Sequence, residues 1–330
     1  MLKVIDSKIS WDKELDDIFH DVYHTYDYHN ISCRSKDYPV LLKYQNLKTT
    51  ILFPLIIRKI DNTNYSDITS SYGYPGPLCS SKKVTKEEAL DFSSQLKAFF
   101  KDFNIISVFS RLNPIIDNSD VLSQIGSIES LNQTVVIDLN LGLEQQRSQY
   151  RKSNKSEINQ LRRKGYEVHK ANSDEEIDLF VQIYNENMDR LGASKEYYFN
   201  RDYFLRLLES KSFQTEILIA KNGNVVTSGA IFMICDKIMN YHLSGTSKKY
   251  LNDHPMKLII DDARLLGNNL NLSALHLGGG NDSLFLFKSG FSESRLTFKI
   301  WKHIVDKKIY NQLSKNSKNK NKGFFPEYRS

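Results

Sequence analysis

An order of predicted elements that occurs twice along the chain is the strongest constraint on its fold. Each half predicts a helix, a hairpin, a strand or turn-rich segment, a second helix with an N-terminal signal, and a short strand. In the first half the hairpin lies within residues 40–60, and Thr85-Lys86-Glu87-Glu88 is a capping box that opens the second helix. In the second half the hairpin turns at Asn222-Gly223, and Pro255 suits the first position of a helix. The repeated order predicts two related α/β domains.

Other segments lie between these elements. Apolar residues at helical spacing predict an amphipathic helix over residues 11–28. A second capping box, Ser173-Asp174-Glu175-Glu176, opens a predicted helix that reaches about Arg190. Short β-rich runs predict strands at residues 105–110, 134–139, 166–169, 238–244 and 273–277.

A length of 330 residues corresponds to about two domains. We expect the first domain to span residues 1–140 and the second 141–306, followed by a basic tail over 307–330. Apolar content of 40 % and charged content of 25 % exclude a largely disordered or fibrous chain. No apolar run approaches the roughly 18 residues that cross a bilayer, and the first residues lack the apolar core of a signal peptide. With three widely spaced cysteines, these features predict a cytoplasmic protein without a disulfide framework.

The positive charge is concentrated in two stretches. Residues 147–170 hold eight Lys or Arg residues against two Glu residues, a net of +6, which equals the net charge of the whole chain. Residues 307–322 add six Lys residues and no acidic residue. Such basic stretches favour a phosphate-bearing partner, whether nucleotide, coenzyme or nucleic acid. The alternatives are a solvated helix face and, for residues 314–322, a disordered tail. Arg147, Arg151 and Lys155, at i, i+4 and i+8, predict one basic stripe on a helix.

Short motifs in both halves resemble those of one superfamily. In chain order they are Ser70-Ser71-Tyr72-Gly73-Tyr74-Pro75-Gly76-Pro77-Leu78, Asn187-Met188-Asp189-Arg190, Tyr197-Tyr198-Phe199, His242-Leu243-Ser244-Gly245-Thr246, Leu277-Gly278-Gly279-Gly280 and Phe287-Lys288-Ser289-Gly290-Phe291-Ser292. With the element order, they resemble the FemAB-like transferases, the peptidoglycan bridge-forming type within the GNAT acyltransferase superfamily. The resemblance covers about residues 40–310. It implies an α/β fold of two tandem GNAT-like domains, each a mixed, mostly antiparallel sheet flanked by helices, with the catalytic motifs in the second.

The resemblance implies a catalytic role for Lys288, the lysine of the F-K-x-G-F motif. In the family this lysine faces the reaction centre, where an ammonium group could stabilise the oxyanion of a tetrahedral intermediate. Spacing alone favours a surface lysine between strands. The apolar run Leu284-Phe285-Leu286-Phe287 beside it indicates instead that the motif lies in a packed segment.

The motifs also provide the candidates for substrate and phosphate binding. The substrate-binding candidates are Tyr72, Tyr74, Arg190, Tyr198, His242, Ser244, Gly278, Gly279, Gly280 and Phe287. The phosphate-binding candidates are Arg151, Arg162 and Arg163 of the central basic stretch. Structural alternatives stay open: a proline-rich turn around the tyrosines, a hydrogen-bonded strand histidine, a bare glycine turn and a solvated helix face. His20 and His24 have the i, i+4 spacing of a zinc site, but the Glu of H-E-x-x-H and a third ligand are missing from the pattern, so we expect no metal.

The resemblance implies transfer of an acyl or aminoacyl group to an amine of a cell-envelope or nucleotide-sugar precursor. The donor is open between acyl-CoA and aminoacyl-tRNA. The R/Q-x-x-G-x-G/A loop with which ordinary GNAT enzymes hold phosphates is absent at residues 250–256, and the helical arm of the bridge-forming enzymes has no counterpart. Expected partners are a nucleotide-sugar or an amino-sugar or peptide substrate, with tRNA left open. The alternatives are a CoA-dependent N-acetyltransferase of an amino sugar in surface polysaccharide synthesis and, in another class, a nucleic-acid-binding module.

Overall fold

The computed structural model of the chain describes residues 2–81, 83–315 and 323–330. The chain divides into two compact units, one formed by residues up to 132 together with those from 297 onward, and one formed by Gln133–Leu296. Residues 297–306, which the sequence pattern places in the second domain, lie in the first unit. The domain boundaries at residues 140 and 306 stay a prediction. The disordered tail predicted for residues 314–322 falls, from residue 316 on, outside the described residues.

The described residues contain thirteen strands and ten α-helices. The strands are β1 (Leu2–Ile5), β2 (Tyr38–Gln45), β3 (Thr50–Lys59), β4 (Ser66–Thr69), β5 (Leu78–Cys79), β6 (Ile105–Arg111), β7 (Ser127–Asp138), β8 (Tyr166–Lys170), β9 (Gln214–Asn222), β10 (Val225–Cys235), β11 (Ile238–Thr246), β12 (Ala274–Gly278) and β13 (Arg295–Ile304). The helices are α1 (Lys8–Leu15), α2 (Tyr26–Ser32), α3 (Lys86–Asp102), α4 (Leu143–Ser148), α5 (Lys152–Arg163), α6 (Asp174–Leu191), α7 (Arg201–Glu209), α8 (Met256–Asn269), α9 (Asp282–Lys288) and α10 (Lys307–Lys315). None of these helices combines the length and the apolar character that crossing a membrane requires.

The first unit is a mixed sheet covered by helices. Its strands follow the order β1-β2-β3-β4-β6-β13, and β5 pairs with β3. Strands β4 and β6 are parallel, whereas the other neighbours are antiparallel. Phe92 and Phe100 of α3 are buried in one apolar cluster with Trp301 of β13. Helix α3 begins where the sequence predicts, because Thr85 and Glu88 form the expected capping box.

The second unit has the same kind of sheet, with strands in the order β7-β12-β11-β10-β9-β8. Only β11 and β12 among these neighbours are parallel. The predicted hairpin joins β9 and β10, and Gly223 takes the left-handed conformation, with a φ of 58°, that such a tight turn favours. The mixed, mostly antiparallel pairing of the strands in each unit, with flanking helices, confirms the predicted fold class.

Helix α6 lies directly against β10 and β11 because two glycines leave room for it. A Cβ atom on Gly245 of β11 would lie 2.8 Å from the carbonyl oxygen of Ile183. A Cβ atom on Gly229 of β10 would lie 2.6 Å from the ring of Phe180. Both distances are shorter than side-chain contacts allow. With any other residue at these two positions, α6 could not lie this close to β10 and β11.

The prediction of a single helix over residues 11–28 is wrong. Helix α1 ends at Leu15, and a 3-10 turn separates it from α2. The backbone N–H of Val22 donates to the carboxylate of Asp21 at 2.7 Å, and the N–H of Tyr28 donates to the hydroxyl of Thr25 at 3.4 Å. These side chains cap new helical segments at places where the apolar spacing alone predicts continuation.

The prediction of one basic stripe is also wrong, because the basic stretch forms two helices. Helix α4 ends at Ser148, and Arg151 is extended, with φ −54° and ψ 143°, before α5 begins. The backbone N–H of Arg151 donates to the carbonyl of Gly290 at 2.9 Å and so is not available to continue α4. Arg147 and Lys155 therefore lie on different helices.

Candidate functional site

The parallel strands β11 and β12 separate partway along their length. They pair from Ile238 opposite Ala274 to Asn240 opposite His276. Beyond this point β11 continues alongside β10, and β12 continues alongside β7. We name the diverging residues 241–246 and 277–279 the strand fork. The crevice outside the carboxyl ends of separating parallel strands is a common place for ligands in α/β proteins.

Lys288 connects the two arms of the strand fork. It is the last residue of α9, and it is only 6 % exposed. Its Nζ donates to the carbonyl of Gly279 at 2.6 Å and lies 5.4 Å from the centroid of the Tyr241 ring. Burial lowers the pKa of Lys288 to about 7, so both its charged and its neutral forms are populated near neutral pH. A surface lysine between strands, the alternative from spacing, is excluded by this placement.

A β-bulge shapes the β11 arm of the fork. The register of β10 and β11 shifts between Ile231 and Phe232, which leaves His242 as an additional residue on β11. The bulge brings the hydroxyls of Tyr241 and Ser244 together in a hydrogen bond, although a regular strand would turn them to opposite faces. Burial raises the pKa of Tyr241 to about 12, so this phenol keeps its proton at neutral pH.

A buried polar pair marks the point where the strands part. His276 is 2 % exposed, and its Nδ1 lies 3.1 Å from the Oδ1 atom of Asn240 on the opposite strand. Burial, with a smaller contribution from the charge of Lys288, lowers the pKa of His276 to about 3. The imidazole is therefore neutral at physiological pH. This pair joins β11 and β12 at their last paired position.

The predicted glycine run forms the turn between β12 and α9. Gly278 and Gly280 have φ angles of 72° and 148°, which other residues adopt only with strain. A Cβ atom on Gly279 would lie 3.0 Å from the carbonyl oxygen of Gln133, and one on Gly280 would lie 2.6 Å from the side chain of Leu284. The glycines thus allow a compact turn that aims the Gly279 carbonyl at Lys288.

His242 lies on the β11 arm of the fork, and Phe287 precedes Lys288 on α9. The Nε2 atom of His242 is 2.8 Å from the Tyr203 hydroxyl, and burial lowers the pKa of His242 to about 3. The half-buried ring of Phe287 packs edge-to-face on Phe291, with 5.6 Å between centroids. Both placements agree with structural roles, and a substrate-binding role for either residue stays a prediction.

Arg190 lies in the last turn of α6 and Tyr198 follows the 3-10 turn Lys195–Tyr197, and both side chains are exposed. The Tyr198 hydroxyl donates to the carboxylate of Asp189 at 2.8 Å, and this hydrogen bond raises the pKa of Tyr198. The guanidinium of Arg190 donates to Asn187. No hydrogen bond or ion pair among the described residues joins either side chain to Lys288, so their substrate-binding role stays a prediction.

The three arginines predicted to bind phosphate differ in their surroundings. The guanidinium of Arg151 donates to the carbonyl of Leu286 at 3.0 Å and to the hydroxyl of Ser289 at 2.6 Å. Arg162 binds an acidic side chain of α8, and Arg163 is exposed at the end of α5. Two of the three thus already hold groups of the protein, and a phosphate-binding role stays a prediction for all of them.

The acidic partner of Arg162 is the fully buried carboxylate of Asp261. Its Oδ2 atom lies 2.9 Å from Arg162 and 3.1 Å from Arg147, and its Oδ1 atom lies 3.1 Å from Arg264. One carboxylate therefore ties α4 and α5 to α8 through charge-assisted hydrogen bonds. Much of the positive charge of the basic stretch is used inside the second unit.

The tyrosine motif of the first half lies in the first unit. The carbonyl of Tyr74 accepts a hydrogen bond from the side-chain amide of Asn113 at 2.8 Å. Gly73 has a φ of 108°, and a Cβ atom there would lie 2.1 Å from the ring of Tyr23, so the turn requires glycine. The side chain of Tyr72 is 39 % exposed. Substrate binding by Tyr72 and Tyr74 stays a prediction.

The segment at the place of the GNAT phosphate loop has another structure. A 3-10 turn, Lys248–Asp253, leads into α8. The carboxylate of Asp253 accepts hydrogen bonds from the Tyr166 hydroxyl at 2.8 Å and from Lys164 at 3.0 Å. The segment is therefore held by an acidic side chain, in contrast to a loop that presents glycine amides to an anion.

The fold has counterparts among solved structures. FemX matches with a TM-score of 0.72 at 12 % identity, over 94 % of this chain and 99 % of its own. L-PGS from Bacillus licheniformis matches with a TM-score of 0.55 at 13 % identity, over 90 % and 92 %. A tandem GNAT protein from the clavulanic acid biosynthesis pathway matches with a TM-score of 0.51 at 8 % identity, over 93 % and 99 %. Neither a family model nor a curated protein sequence matches the chain.

These matches define the class of fold. The chain has the FemAB-like, tandem GNAT fold that its motifs predict, and the similarity to FemX extends over nearly all of both chains. At these identities the comparisons establish the fold.

Three polar residues in or next to the fork were not among the predicted site residues: Asn240, Tyr241 and His276. Their sequence signal is a polar residue inside an otherwise apolar strand, as in Ile238-Met239-Asn240 and Leu275-His276-Leu277. A buried polar side chain requires a partner. The signal shows that a partner exists, but only the pairing of β11 with β12 shows which one.

The lowered pKa of Lys288 predicts a pH dependence of stability. The unfolded chain holds this proton up to about pH 10.4, whereas the folded chain releases it near pH 7, so stability rises with pH between these values. Relative to a Lys288→Met variant, the free energy of unfolding of the wild type should increase by about 2 kcal/mol between pH 7 and pH 9. Urea unfolding of both proteins at each pH measures this difference in the free energy of unfolding. Parallel pH curves for the two proteins would show that Lys288 has an ordinary pKa.

Proposed function

We propose that the protein is an acyltransferase that moves an acyl or aminoacyl group onto an amine of a cell-envelope or nucleotide-sugar precursor. The observation that carries the proposal is the position of Lys288. Its amine is buried in the strand fork, between the Gly279 carbonyl and the Tyr241 ring. A polar group that can carry positive charge, in a site largely closed to water, is what acyl transfer requires at the developing oxyanion.

The chemistry follows from the groups in the fork. An amine that attacks an acyl carbonyl places negative charge on the carbonyl oxygen. An ammonium group at Lys288 would stabilise that charge more strongly than water does, because the group is fixed in place and the site has a low dielectric constant. The neutral side chains around it, Tyr241 and His276, add no competing negative charge.

The fold agrees with this proposal, since a tandem GNAT protein and L-PGS have the same architecture. Acyl-CoA and aminoacyl-tRNA both stay candidate donors. A nucleotide-sugar, amino-sugar or peptide acceptor, tRNA as a partner, and a cytoplasmic location all stay predictions. CoA-dependent N-acetylation of an amino sugar is the closest alternative. In that reaction too, Lys288 in the fork would stabilise the oxyanion.

The structure supports a nucleic-acid-binding module less well than it supports an acyltransferase. That alternative rests on the central basic stretch, and three of its arginines bind groups of the protein. Arg147 and Arg162 bind Asp261, and Arg151 binds the end of α9. Phosphate contacts supply most of the affinity of such modules, so arginines that are already paired contribute little to it.

Replacing Lys288 with alanine should slow the chemical step. Loss of one donor to an oxyanion typically lowers kcat about 10²–10³-fold, and substrate KM should change little because the contact forms mainly in the transition state. Transfer of a radiolabelled group from acyl-CoA or aminoacyl-tRNA to candidate amines measures the rate. Donors and acceptors that bind can first be found from the rise in melting temperature that a ligand of the folded state produces.

A matched control separates chemistry from folding in this test. Lys101 of α3 is an exposed lysine of the first unit, and Lys101→Ala should leave both the rate and the melting temperature unchanged. The Lys288→Ala variant should melt within a few degrees of the wild type, because it removes an amine whose burial is costly. Normal turnover by Lys288→Ala, or activity lost only with folding, would contradict the catalytic assignment.

The arginines of α5 should separate phosphate binding from stability. If exposed Arg163 binds a donor phosphate, Arg163→Gln should weaken donor binding without lowering stability, and wild-type affinity should fall steeply with salt. Arg162→Gln should instead lower the melting temperature, because it removes a partner of the buried Asp261 carboxylate. Titration calorimetry at two salt concentrations and thermal melts measure both effects. If donor binding is independent of salt and Arg163→Gln keeps full affinity, the basic face of α5 binds no phosphate and is only solvated.

A further inference from the structure

Lys288 is a buried lysine that has no acidic partner among the described residues. Its Nζ donates to one carbonyl oxygen, that of Gly279, and faces the Tyr241 ring. No ion pair to Lys288 occurs among the described residues, whereas Lys257 and Lys164 of the same unit each pair with a carboxylate. An ammonium group that is buried without a counter-ion is costly, and the neutral amine is favoured accordingly.

The groups that face Lys288 from each neighbouring element add no negative charge. Tyr241 faces it from β11, and on β12 the imidazole of His276 is kept neutral by burial and, to a smaller extent, by the charge of Lys288. On the outer side of α9, Arg151 and Arg295 bind the Ser289 hydroxyl and carbonyl. The acidic Glu293 acts electrostatically on Arg295, whereas burial is the cause of the lowered pKa of Lys288. Neither Tyr241 nor His276 therefore favours the ammonium form of Lys288.

We propose that Lys288 is the proton carrier of the transfer reaction: it enters the reaction as a neutral amine, takes a proton from the attacking amine, and returns it to the leaving group. The proposal rests on the acyltransferase function argued above. It adds a second role to the expected one, because the ammonium that stabilises the oxyanion then arises during the reaction itself.

The steps balance in atoms and charge. The acceptor nitrogen forms a bond to the acyl carbon, and the carbonyl π electrons move to oxygen. The attacking nitrogen, now positively charged, loses a proton to the Nζ atom of Lys288. The resulting ammonium lies beside the oxyanion. When the carbonyl re-forms, the bond from carbon to the donor's thiol or ester oxygen breaks, and the leaving group takes the proton from Lys288. The products are an amide and a free thiol or hydroxyl.

The other titratable side chains in or next to the fork do not fit this role. A proton carrier is most effective when its pKa lies near the working pH. Burial lowers the pKa values of His276 and His242 to about 3 and raises that of Tyr241 to about 12, so these groups do not change protonation near neutrality. Lys288, at about 7, does.

The experiment combines a direct titration of Lys288 with its replacement by arginine. Protein labelled with ¹³C at the lysine ε carbon is titrated by NMR, and the Lys288 signal is identified by its loss in Lys288→Met. The pH dependence of kcat/KM for acyl transfer is measured in parallel. Arginine keeps the positive charge but does not release its proton. Lys101→Arg, at an exposed position of the first unit, is the matched control and should leave the rate unchanged.

The proposal predicts that Lys288 titrates near pH 7 and that kcat/KM rises with the same inflection. It further predicts that Lys288→Arg loses about as much activity as Lys288→Ala, at least about 10²-fold. If Lys288 stays charged above pH 9, or if Lys288→Arg retains most of the rate, Lys288 acts only as a fixed cation, and the proton role is refuted while the acyltransferase function stands. If no acyl or aminoacyl transfer occurs with any donor, the proposed function itself fails, and the proton role fails with it.

Discussion

The hydrogen bond from Lys288 to the carbonyl of Gly279 is the contact on which the rest of the candidate site depends. It exists because β11 and β12 stop pairing after Asn240 and His276, so that beyond this point the two strands do not satisfy each other's backbone groups. Buried backbone groups of this kind need other partners. The amine of Lys288 reaches one of them, the carbonyl of Gly279, from the end of α9.

The remaining features of the second unit hold this arrangement in place. The glycine turn at residues 278–280 is tight enough to direct α9 back over the fork, and the bulge at His242 turns Tyr241 toward Ser244 beneath the lysine. Helix α6 supports β11 from its other face through Gly245. A catalytic group held in this way needs little rearrangement when charge develops on a substrate, which is the condition for electrostatic catalysis.

Local signals in the sequence predict the elements well, whereas contacts between distant residues decide the site. The hairpin at Asn222-Gly223 and the capping box at Thr85 are fixed by neighbouring residues, and the structure contains both. The break between α4 and α5 depends on Gly290, which is remote in sequence from Arg151, so helical spacing predicts an uninterrupted stripe. The pairing of Asn240 with His276 and the bulge at His242 likewise require the strand register, which no short pattern contains. Lys288 was predicted through a motif resemblance, but its burial and lowered pKa follow only from the fold.

The most direct test of the account is a crystal structure of the protein with a bound acyl donor, either an acyl-CoA or the 3′ end of an aminoacyl-tRNA held by a stable amide. The account predicts that the acyl group enters the strand fork, with its carbonyl oxygen within hydrogen-bond distance of the Nζ atom of Lys288 and close to Tyr241. A donor bound elsewhere, with Lys288 still buried against Gly279 and the fork closed to it, would contradict the assignment of the fork as the site of acyl transfer.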